Sequence, residues 1–221
     1  MPSRAAGRRR PDGDALTLVL HVALTGNVAS GKSSVARLFS DWGAALIDAD
    51  AIVRELQRPG TPIFARIASR FGPEVVAPDG ELDRARLRTL VLADPAARQD
   101  LEAIVHPAVA AERERLIDDA RRRGETIIVS DIPLLFEAMD PDAFDAVILV
   151  DAPEQIRRER LIRDRGLSSE EADGLFRAQH PAADKRARSE FIIDNDSSRV
   201  ELRDRAWRVW RRLHSRARAR A

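Results

Sequence analysis

The chain of 221 residues contains no cysteine, and its four histidines are scattered along the sequence. The absence of cysteine excludes disulfides, a thiolate metal site and a cysteine nucleophile, and the histidines show no spacing typical of metal ligands. No apolar run approaches the roughly 18 residues needed to cross a bilayer. With 44% hydrophobic and 33% charged residues, the composition excludes a disordered chain. We expect one large domain, or a core with a small insertion, in a cytoplasmic protein with no membrane contact.

Lysine is scarce as well, because only Lys32 and Lys185 among the 37 basic residues are lysine. A chain that uses arginine for general positive charge has kept lysine at two positions. Either the retention is chance, or these sites have a geometric requirement that a planar guanidinium cannot meet. We therefore treat both lysines as candidate site residues.

Positive charge is concentrated at the two ends of the chain. Residues 1–14 carry +2 and residues 199–221 carry +7, so residues 15–198 hold −8 of the total of +1. A nucleic-acid-binding domain carries its basic patch on the folded face, whereas this body is acidic. A nucleic-acid partner is therefore not expected.

Apolar runs alternate with helical patterns along the chain, which predicts an α/β fold with a parallel sheet and helices on both faces. Buried strands are predicted at 16–24, 45–47, 126–130, 146–150 and 191–193. Helices are predicted at 32–42, in three stripes between 58 and 122, at 154–188 and at 198–216. Pro107 is expected to end the third stripe. Residues 1–14 and 217–221 are predicted to be disordered.

The most informative motif is GNVASGKSS at 26–34, which matches the phosphate-loop pattern G-x-x-x-x-G-K-[ST] between a predicted strand and a predicted helix. Backbone N–H groups and the start of the helix form an anion cradle. The Lys32 ammonium can bridge the β- and γ-phosphates, and the Ser33 hydroxyl can bind Mg²⁺. We predict ATP contacts from Gly26, Asn27, Val28, Ala29, Ser30, Gly31, Lys32, Ser33 and Ser34.

A phosphate loop alone does not name a reaction. GTPases of the Ras type usually carry an N-K-x-D motif, which is absent here, and motor ATPases and transporters are usually longer. A chain of this length with a helical insertion and an arginine-rich segment fits a small-molecule kinase, which needs a lid against water and arginines for the transferred phosphoryl group. Two alternatives stay open: a P-loop ATPase that contacts nucleic acid through the basic tail, and a kinase of another small substrate such as a nucleoside monophosphate.

Further motifs follow the phosphate loop in an ordered series. They are IDAD at 47–50, PG at 59–60, DGELDR at 79–84, LEAIVHP at 101–107, DIPLLFE at 131–137, Gln179, Lys185 and IIDN at 192–195. In this order and spacing they resemble the dephospho-CoA kinase family over roughly residues 20–210. The resemblance implies transfer of a phosphoryl group from ATP to the ribose 3′-hydroxyl of 3′-dephospho-coenzyme A. We expect ATP and 3′-dephospho-CoA as substrates, Mg²⁺ as cofactor, and a monomer or weak homo-oligomer.

The same resemblance divides the chain into three parts. The nucleotide-binding core comprises residues 15–57, 123–152 and 191–216. A helical CoA-binding domain spans residues 58–122, and a lid spans residues 153–190.

Three carboxylates follow predicted strands, at the edge where parallel sheets bind ligands. Asp50, which matches the second aspartate of the family motif, is expected to deprotonate the acceptor hydroxyl; the alternative is a helix N-cap. Asp48 either holds Mg²⁺ through water or caps a helix. Asp131 stands at the position of a Walker B carboxylate, which the resemblance places in the acceptor site; the alternative is a turn residue.

Other acceptor contacts are implied by the resemblance. They are Arg84, Arg88, His106, Pro133, Leu134, Leu135, Phe136, Gln179 and Lys185. Several of these residues also have an ordinary structural explanation. The arginines could lie on a solvated face, the histidine could be structural, and residues 134–136 could be ordinary core packing. Asn195 follows the last strand, where P-loop kinases place the loop that touches adenine.

The chain departs from the family pattern in the phosphate loop, in the lid run, and before the last strand, where Ser189-Glu190 replaces the usual A-D. The usual loop reads GGIGSGKS, and here Asn27 and Ala29 replace two glycines at positions that the motif does not fix. The usual lid run is R-x-x-R-D-G, and an ungapped alignment places Asp164 where the family has arginine.

The second departure leaves the catalytic lid arginine ambiguous between Arg163 and Arg165. On a continuous helix these two residues point about 200° apart, whereas Arg160 and Arg163 share a face. We therefore predict that Arg160 and Arg163 face the phosphates, with Arg165 pointing outward next to Gly166.

Overall fold

A computed structural model describes residues 19–220, and the predicted basic extension lies outside them. Within these residues five parallel strands form one sheet, which confirms the predicted α/β class. The strands are β1 (Leu20–Gly26), β2 (Ala45–Asp48), β3 (Ile127–Asp131), β4 (Ala146–Asp151) and β5 (Phe191–Asp194). Their spatial order is β2-β3-β1-β4-β5, so all five carboxyl ends meet at one edge.

Ten α-helices surround this sheet within residues 19–220. They are α1 (Lys32–Asp41), α2 (Ala49–Leu56), α3 (Pro62–Phe71), α4 (Arg84–Ala93), α5 (Pro95–Arg122), α6 (Leu135–Ala138), α7 (Glu154–Arg165), α8 (Ser169–Arg177), α9 (Ala182–Ala187) and α10 (Arg199–Arg218). None of the helices in this part of the chain is both long and apolar enough to cross a bilayer.

The first strand extends further than its apolar run predicted. The predicted end was Leu24, but Thr25 and Gly26 continue the ladder by pairing with Leu149 and Val150 of β4. The added pairing carries the strand directly into the phosphate loop. Thr25 is polar and therefore ends the apolar run, although it is fully buried within the sheet.

The predicted helical insertion has a hydrophobic core of its own, under α3, α4 and α5. This core contains Ile63, Ile67, Phe71, Val75, Leu82, Leu87, Ala97, Ile104 and Val105. A separate cluster, which includes Ile52 and Ile117, joins α2 and α5 to the sheet. The insertion is therefore packed as a unit and attached through the long helix α5.

The expectation that Pro107 ends a helix is wrong. Helix α5 runs for 28 residues through this position. A proline in a helix removes one backbone hydrogen bond, but Pro107 is exposed, where water can satisfy the freed carbonyl group. Ile104 and Val105 before it and Val109 after it all pack on the same core, and this packing maintains the helix.

The stretch predicted to be helical, residues 154–188, contains three helices, α7, α8 and α9. Gly166 ends α7 in the left-handed conformation at φ 66°, and Ser168 opens α8 with a capping box. Pro181 then precedes α9. At the chain end, α10 continues two residues beyond the predicted 216 because Ala217 is buried against the core.

A half-buried histidine on β1, His21, is expected to make stability depend on pH. The Nε2 atom of His21 lies 2.9 Å from the hydroxyl oxygen of Ser130. Burial, together with Arg113 and Arg121 nearby, lowers the pKa of His21 from 6.5 to about 4. Its neutral form is therefore the one compatible with the fold, and acid favours the unfolded chain, which takes up the proton first.

Above pH 6.5 His21 is neutral in both the folded and the unfolded chain, and its full contribution to stability is present. We expect the free energy of unfolding to fall by about 3 kcal/mol in total as the pH falls from 6.5 to 4, because only the unfolded chain binds the proton in this range. Urea unfolding at several pH values measures it. His21→Gln should flatten the stability curve in this window, whereas His106→Gln, at an exposed position, should leave it unchanged. Parallel curves for wild type and His21→Gln would contradict the assignment.

Candidate active site

The phosphate loop joins β1 to α1 at the carboxyl edge of the sheet. Gly26 ends β1 where a Cβ atom would lie 2.6 Å from the backbone oxygen of Val150. Gly31 precedes α1 at φ 94°, and a Cβ there would collide with the Asn195 side chain. These two fixed glycines are therefore required by close approach and by backbone conformation.

Ala29 is the non-glycine residue with positive φ in the described chain, at 58°. A left-handed conformation costs a residue with a Cβ about 1–2 kcal/mol. The sequence pattern of the family has glycine at this position, and the structure gives the reason for it.

A cavity of about 630 Å³ opens over the phosphate loop. All nine predicted ATP contacts from Gly26 to Ser34 line it. Its other lining residues are Asp50, Pro133, Arg160, Arg163, Asp164, Arg165, Gln179, Asn195, Ser197, Arg199 and Leu202. The structure therefore brings predicted residues from the loop, from α2, from α7 and from the segment after β5 to one place.

Lys32 forms an ion pair with Asp131 at the end of β3. Burial raises the pKa of Asp131, with smaller contributions from the charges of Asp48 and Asp50, while Lys32 acts in the opposite direction. Asp48 and Asp131 are register partners on adjacent strands. The predicted carboxylates thus lie at one edge of the sheet, with the Lys32 ammonium among them.

Asp48 and Asp50 differ in what they contact. Asp48 is the N-cap of α2, where a carboxylate oxygen accepts a hydrogen bond from the backbone N–H of Ala51 at 2.9 Å. The cap that was the alternative for both residues is thus formed by Asp48. Asp50 lies in the first turn of α2, is exposed and lines the cavity.

A second cavity of about 380 Å³ adjoins the helical insertion, and Asp50 lines this one too. Its other lining residues are Val53, Arg54, Gln57, Arg84, Leu87, Arg88, Val91 and Leu101. Of the predicted acceptor contacts, Arg84 and Arg88 are present. Arg54 of α2 and Gln57, the C-cap of that helix, were not predicted as site residues. Their spacing one and two helical turns from Asp50 is the signal that could have found them.

Of the other predicted acceptor residues, Pro133 and Gln179 line the first cavity, whereas His106 and residues 134–136 line neither cavity. Leu135 and Phe136 are buried in a core cluster, Leu134 is 45% exposed, and His106 is exposed on α5. The structure therefore corrects the expected apolar wall at 134–136. Once Ile132 enters the core, Leu135 and Phe136 of the following short helix pack with it, and Leu134 at the turn does not.

Helix α7 of the predicted lid is continuous through Arg165 and ends at Gly166, as predicted. The Arg160 guanidinium donates to the backbone oxygens of Ala29 at 3.1 Å and Asn195 at 3.0 Å. Arg163 is 73% exposed and pairs with the adjacent Asp164. Arg160 thus holds the backbone of the phosphate loop, whereas Arg163 lies at the open rim of the cavity.

Two further side chains hold the loop. The Asn195 side-chain amide donates to the backbone oxygen of Ser30 at 2.7 Å. The Gln179 side-chain oxygen accepts from the backbone N–H of Val28 at 2.9 Å. Lys185 differs from both: its side chain is 1% exposed and forms an ion pair with Glu137 at 2.7 Å. The structure therefore places Lys185 in the protein interior and not in either cavity.

Comparison with known proteins gives a consistent result. A sequence model of the family described as Dephospho-CoA kinase matches residues 20–201. The dephospho-CoA kinase of Symbiobacterium thermophilum is 47% identical over 190 residues, covering 86% of this chain and 80% of that protein. The dephospho-CoA kinase of Thermobifida fusca is 45% identical over 202 residues, covering 90% of this chain and all of that protein.

Solved structures show the same fold. A crystal structure of a Thermus thermophilus protein aligns with a TM-score of 0.75 at 34% identity, covering 86% of this chain and 95% of that one. The dephospho-CoA kinase from Campylobacter jejuni aligns with a TM-score of 0.66 at 24% identity, covering 87% and 96%, and supports the fold alone. By its sequence relatives and the family match, this chain belongs to the dephospho-CoA kinase family.

Proposed function

We propose that the chain transfers the γ-phosphoryl group of ATP to the ribose 3′-hydroxyl of 3′-dephospho-coenzyme A, giving ADP and coenzyme A. The observation that carries this proposal is the position of Asp50, which lines both the phosphate-loop cavity and the second cavity. A two-substrate transfer needs the donor and acceptor to meet at one point. A carboxylate at that point can take the proton of the acceptor hydroxyl.

ATP occupies the first cavity in this proposal. Its phosphates lie on the loop amides and at the start of α1, and Lys32 exchanges Asp131 for phosphate oxygens. Asn195 and Arg160 support the loop from the side of the last strand. The base lies near residues 195–202, of which Ser197, Arg199 and Leu202 line the cavity.

Magnesium is proposed as the cofactor. Within residues 19–220 no group of three or more histidine, cysteine or acidic side chains could hold a metal ion. Mg²⁺ in kinases usually takes only one or two protein ligands and fills its shell with phosphate oxygens and water, so the Ser33 hydroxyl and Asp48 fit this ion. When bound, the ion neutralises charge on the phosphates.

The acceptor occupies the second cavity. Its lining combines three guanidinium groups, from Arg54, Arg84 and Arg88, with four apolar side chains. Arginines suit the diphosphate of dephospho-CoA, and the apolar side chains suit the rest of an elongated ligand. We propose that the enzyme works as a monomer or weak homo-oligomer in the cytoplasm.

The proposal is tested by an assay of ADP release with 3′-dephospho-CoA, AMP, shikimate and 4′-phosphopantetheine as alternative acceptors. Turnover with 3′-dephospho-CoA should exceed that with the others, and the product should carry its new phosphate on the 3′-oxygen. Preferred turnover with AMP would assign a different small-molecule kinase. Stimulation of ATP hydrolysis by duplex DNA without acceptor turnover would assign the nucleic-acid class.

The two rim arginines of the lid have different expected effects. Arg163 shares a helical face with loop-bound Arg160, so lid closure should bring it to the transferred phosphoryl group. Arg163→Ala should lower kcat by about 10²-fold, as loss of one transition-state donor does. Arg165→Ala, the matched control two residues away, should change kcat at saturating ATP only slightly. A severe defect in Arg165→Ala with a mild one in Arg163→Ala would reverse the assignment.

A further inference from the structure

Glu137 connects two parts of the chain that are far apart in sequence. It lies on the short helix α6, directly after the Leu135–Phe136 pair. Its Oε1 atom accepts a hydrogen bond from the Lys185 ammonium at 2.7 Å and another from the backbone N–H of His180 at 3.1 Å. The sequence motif DIPLLFE contains this glutamate, but the candidate site residues did not include it.

The second of these contacts is adjacent to the phosphate loop. His180 follows Gln179, whose side-chain oxygen accepts from the Val28 backbone N–H of the loop. Glu137 therefore holds the peptide unit that directly follows Gln179. The side-chain oxygen of Gln179 is positioned only as well as the backbone of that residue is fixed. Glu137 fixes this backbone, and it therefore determines the contact between Gln179 and the loop.

The Glu137–Lys185 pair is arranged to hold this segment firmly. The Lys185 side chain is 1% exposed and that of Glu137 is 16% exposed. Because both charges are largely removed from water, each needs the other to compensate for its lost hydration. The other carboxylate oxygen of Glu137, Oε2, is buried without a hydrogen-bond partner among the described residues. The neighbouring Arg186 joins α9 to the sheet independently, through Asp151 at 2.8 Å and Asp194 at 2.7 Å.

We propose that Glu137 is a positioning residue for ATP: through the His180 N–H and Lys185 it holds Gln179 on Val28, and so keeps the phosphate loop in the conformation that receives the nucleotide. This rests on ATP binding at the loop but not on the identity of the acceptor. It also assigns Lys185 a part in this arrangement instead of a contact with the acceptor. Loss of the Glu137 oxygen should weaken ATP binding and leave acceptor binding unchanged.

The sharpest test compares two double variants that both remove the buried lysine charge. Glu137→Gln with Lys185→Met keeps an oxygen that can accept from the His180 N–H. Glu137→Met with Lys185→Met has a similar size without that oxygen. Neither leaves an unpaired buried charge, so both should fold, which circular dichroism and thermal unfolding will show.

We expect the Gln/Met variant to keep a near-normal Kd for ATP, measured by calorimetry. The Met/Met variant should bind ATP about three- to tenfold more weakly, the loss expected for one hydrogen bond, with the KM for 3′-dephospho-CoA unchanged. Gln179→Ala should show the same loss, and adding it to the Met/Met variant should cause no further loss, since the two residues act as one unit. Arg186→Ala, which loosens α9 elsewhere, should instead add its effect to that of Gln179→Ala.

Equal ATP affinity of the two double variants, or additive losses from Glu137 and Gln179, would overturn the proposal. So would tighter ATP binding on loss of the oxygen, because Gln179 would then be competing with phosphate for the Val28 N–H. Calorimetry needs no acceptor, so these outcomes are separate from those of the acceptor panel. If the wild-type enzyme binds ATP but phosphorylates another acceptor, only the proposed function fails.

Discussion

Lys32→Ala should lower kcat by about 10³- to 10⁵-fold, the range associated with a cation that stabilises a transferring phosphoryl group. Lys32 opens α1 at the end of the phosphate loop, and its ammonium is already directed to the carboxyl edge of the sheet, where it pairs with Asp131. ADP release at saturating substrates measures the loss. Arg37→Ala, an exposed substitution on the same helix, serves as the control and should retain activity.

Lys32→Arg should fail nearly as severely, because the planar guanidinium is too broad for the space between the loop and Asp131. Near-normal kcat in this variant would refute the argument that lysine was retained here for its geometry. Asp131→Asn distinguishes the role of Lys32 from that of Asp131, because it removes the charge of the aspartate and leaves the lysine in place. If it keeps ATP affinity while Lys32→Ala loses it, the lysine acts on phosphate and not merely as the partner of Asp131.

Asp50→Asn should lower kcat by about 10²- to 10⁴-fold, the usual contribution of a general base. The amide keeps the size of the side chain and removes its ability to take the proton. Asp50 is exposed and lines both cavities, so the fold and ATP affinity should change little. Single-turnover kinetics should show the loss in the chemical step.

Asp48→Asn is the matched comparison, two residues earlier in the chain. Asparagine caps helices as well as aspartate does, so the contact with the Ala51 N–H should persist. The substitution should raise the Mg²⁺ concentration needed for half-maximal rate more than it lowers kcat at saturating Mg²⁺. Equal and small effects of both substitutions would mean that neither carboxylate takes part in chemistry.

Strand positions were accessible from the sequence because a strand buried on both faces must be an unbroken apolar run, as at 146–150. Prediction failed where packing overrode local preference. Pro107 signals a helix end, yet contacts of Ile104 and Val109 on either side maintain α5. The end of α7 at Gly166, by contrast, follows a local signal that the sequence shows, and Pro181 precedes α9.

Part of the candidate site could also be predicted from the sequence, because it depends on a short contiguous segment. The phosphate loop is one contiguous segment, and its glycines, Lys32 and Ser33 are specified by backbone geometry over nine residues. Residues 134–136 belong to an equally clear motif, but a motif does not state which side chains face a ligand. Leu135 and Phe136 enter the core and Leu134 does not, a choice that depends on neighbours from other strands.

The sequence by itself determined the α/β class, the phosphate loop and the family, since each depends on short segments in a given order. Only the tertiary structure decided how distant side chains pair. Arg160 holds a carbonyl 131 residues away, Gln179 an amide 151 residues away, and Lys185 a carboxylate 48 residues away. Such pairs have no local spacing rule, because they form only when elements that are distant in sequence pack against one another.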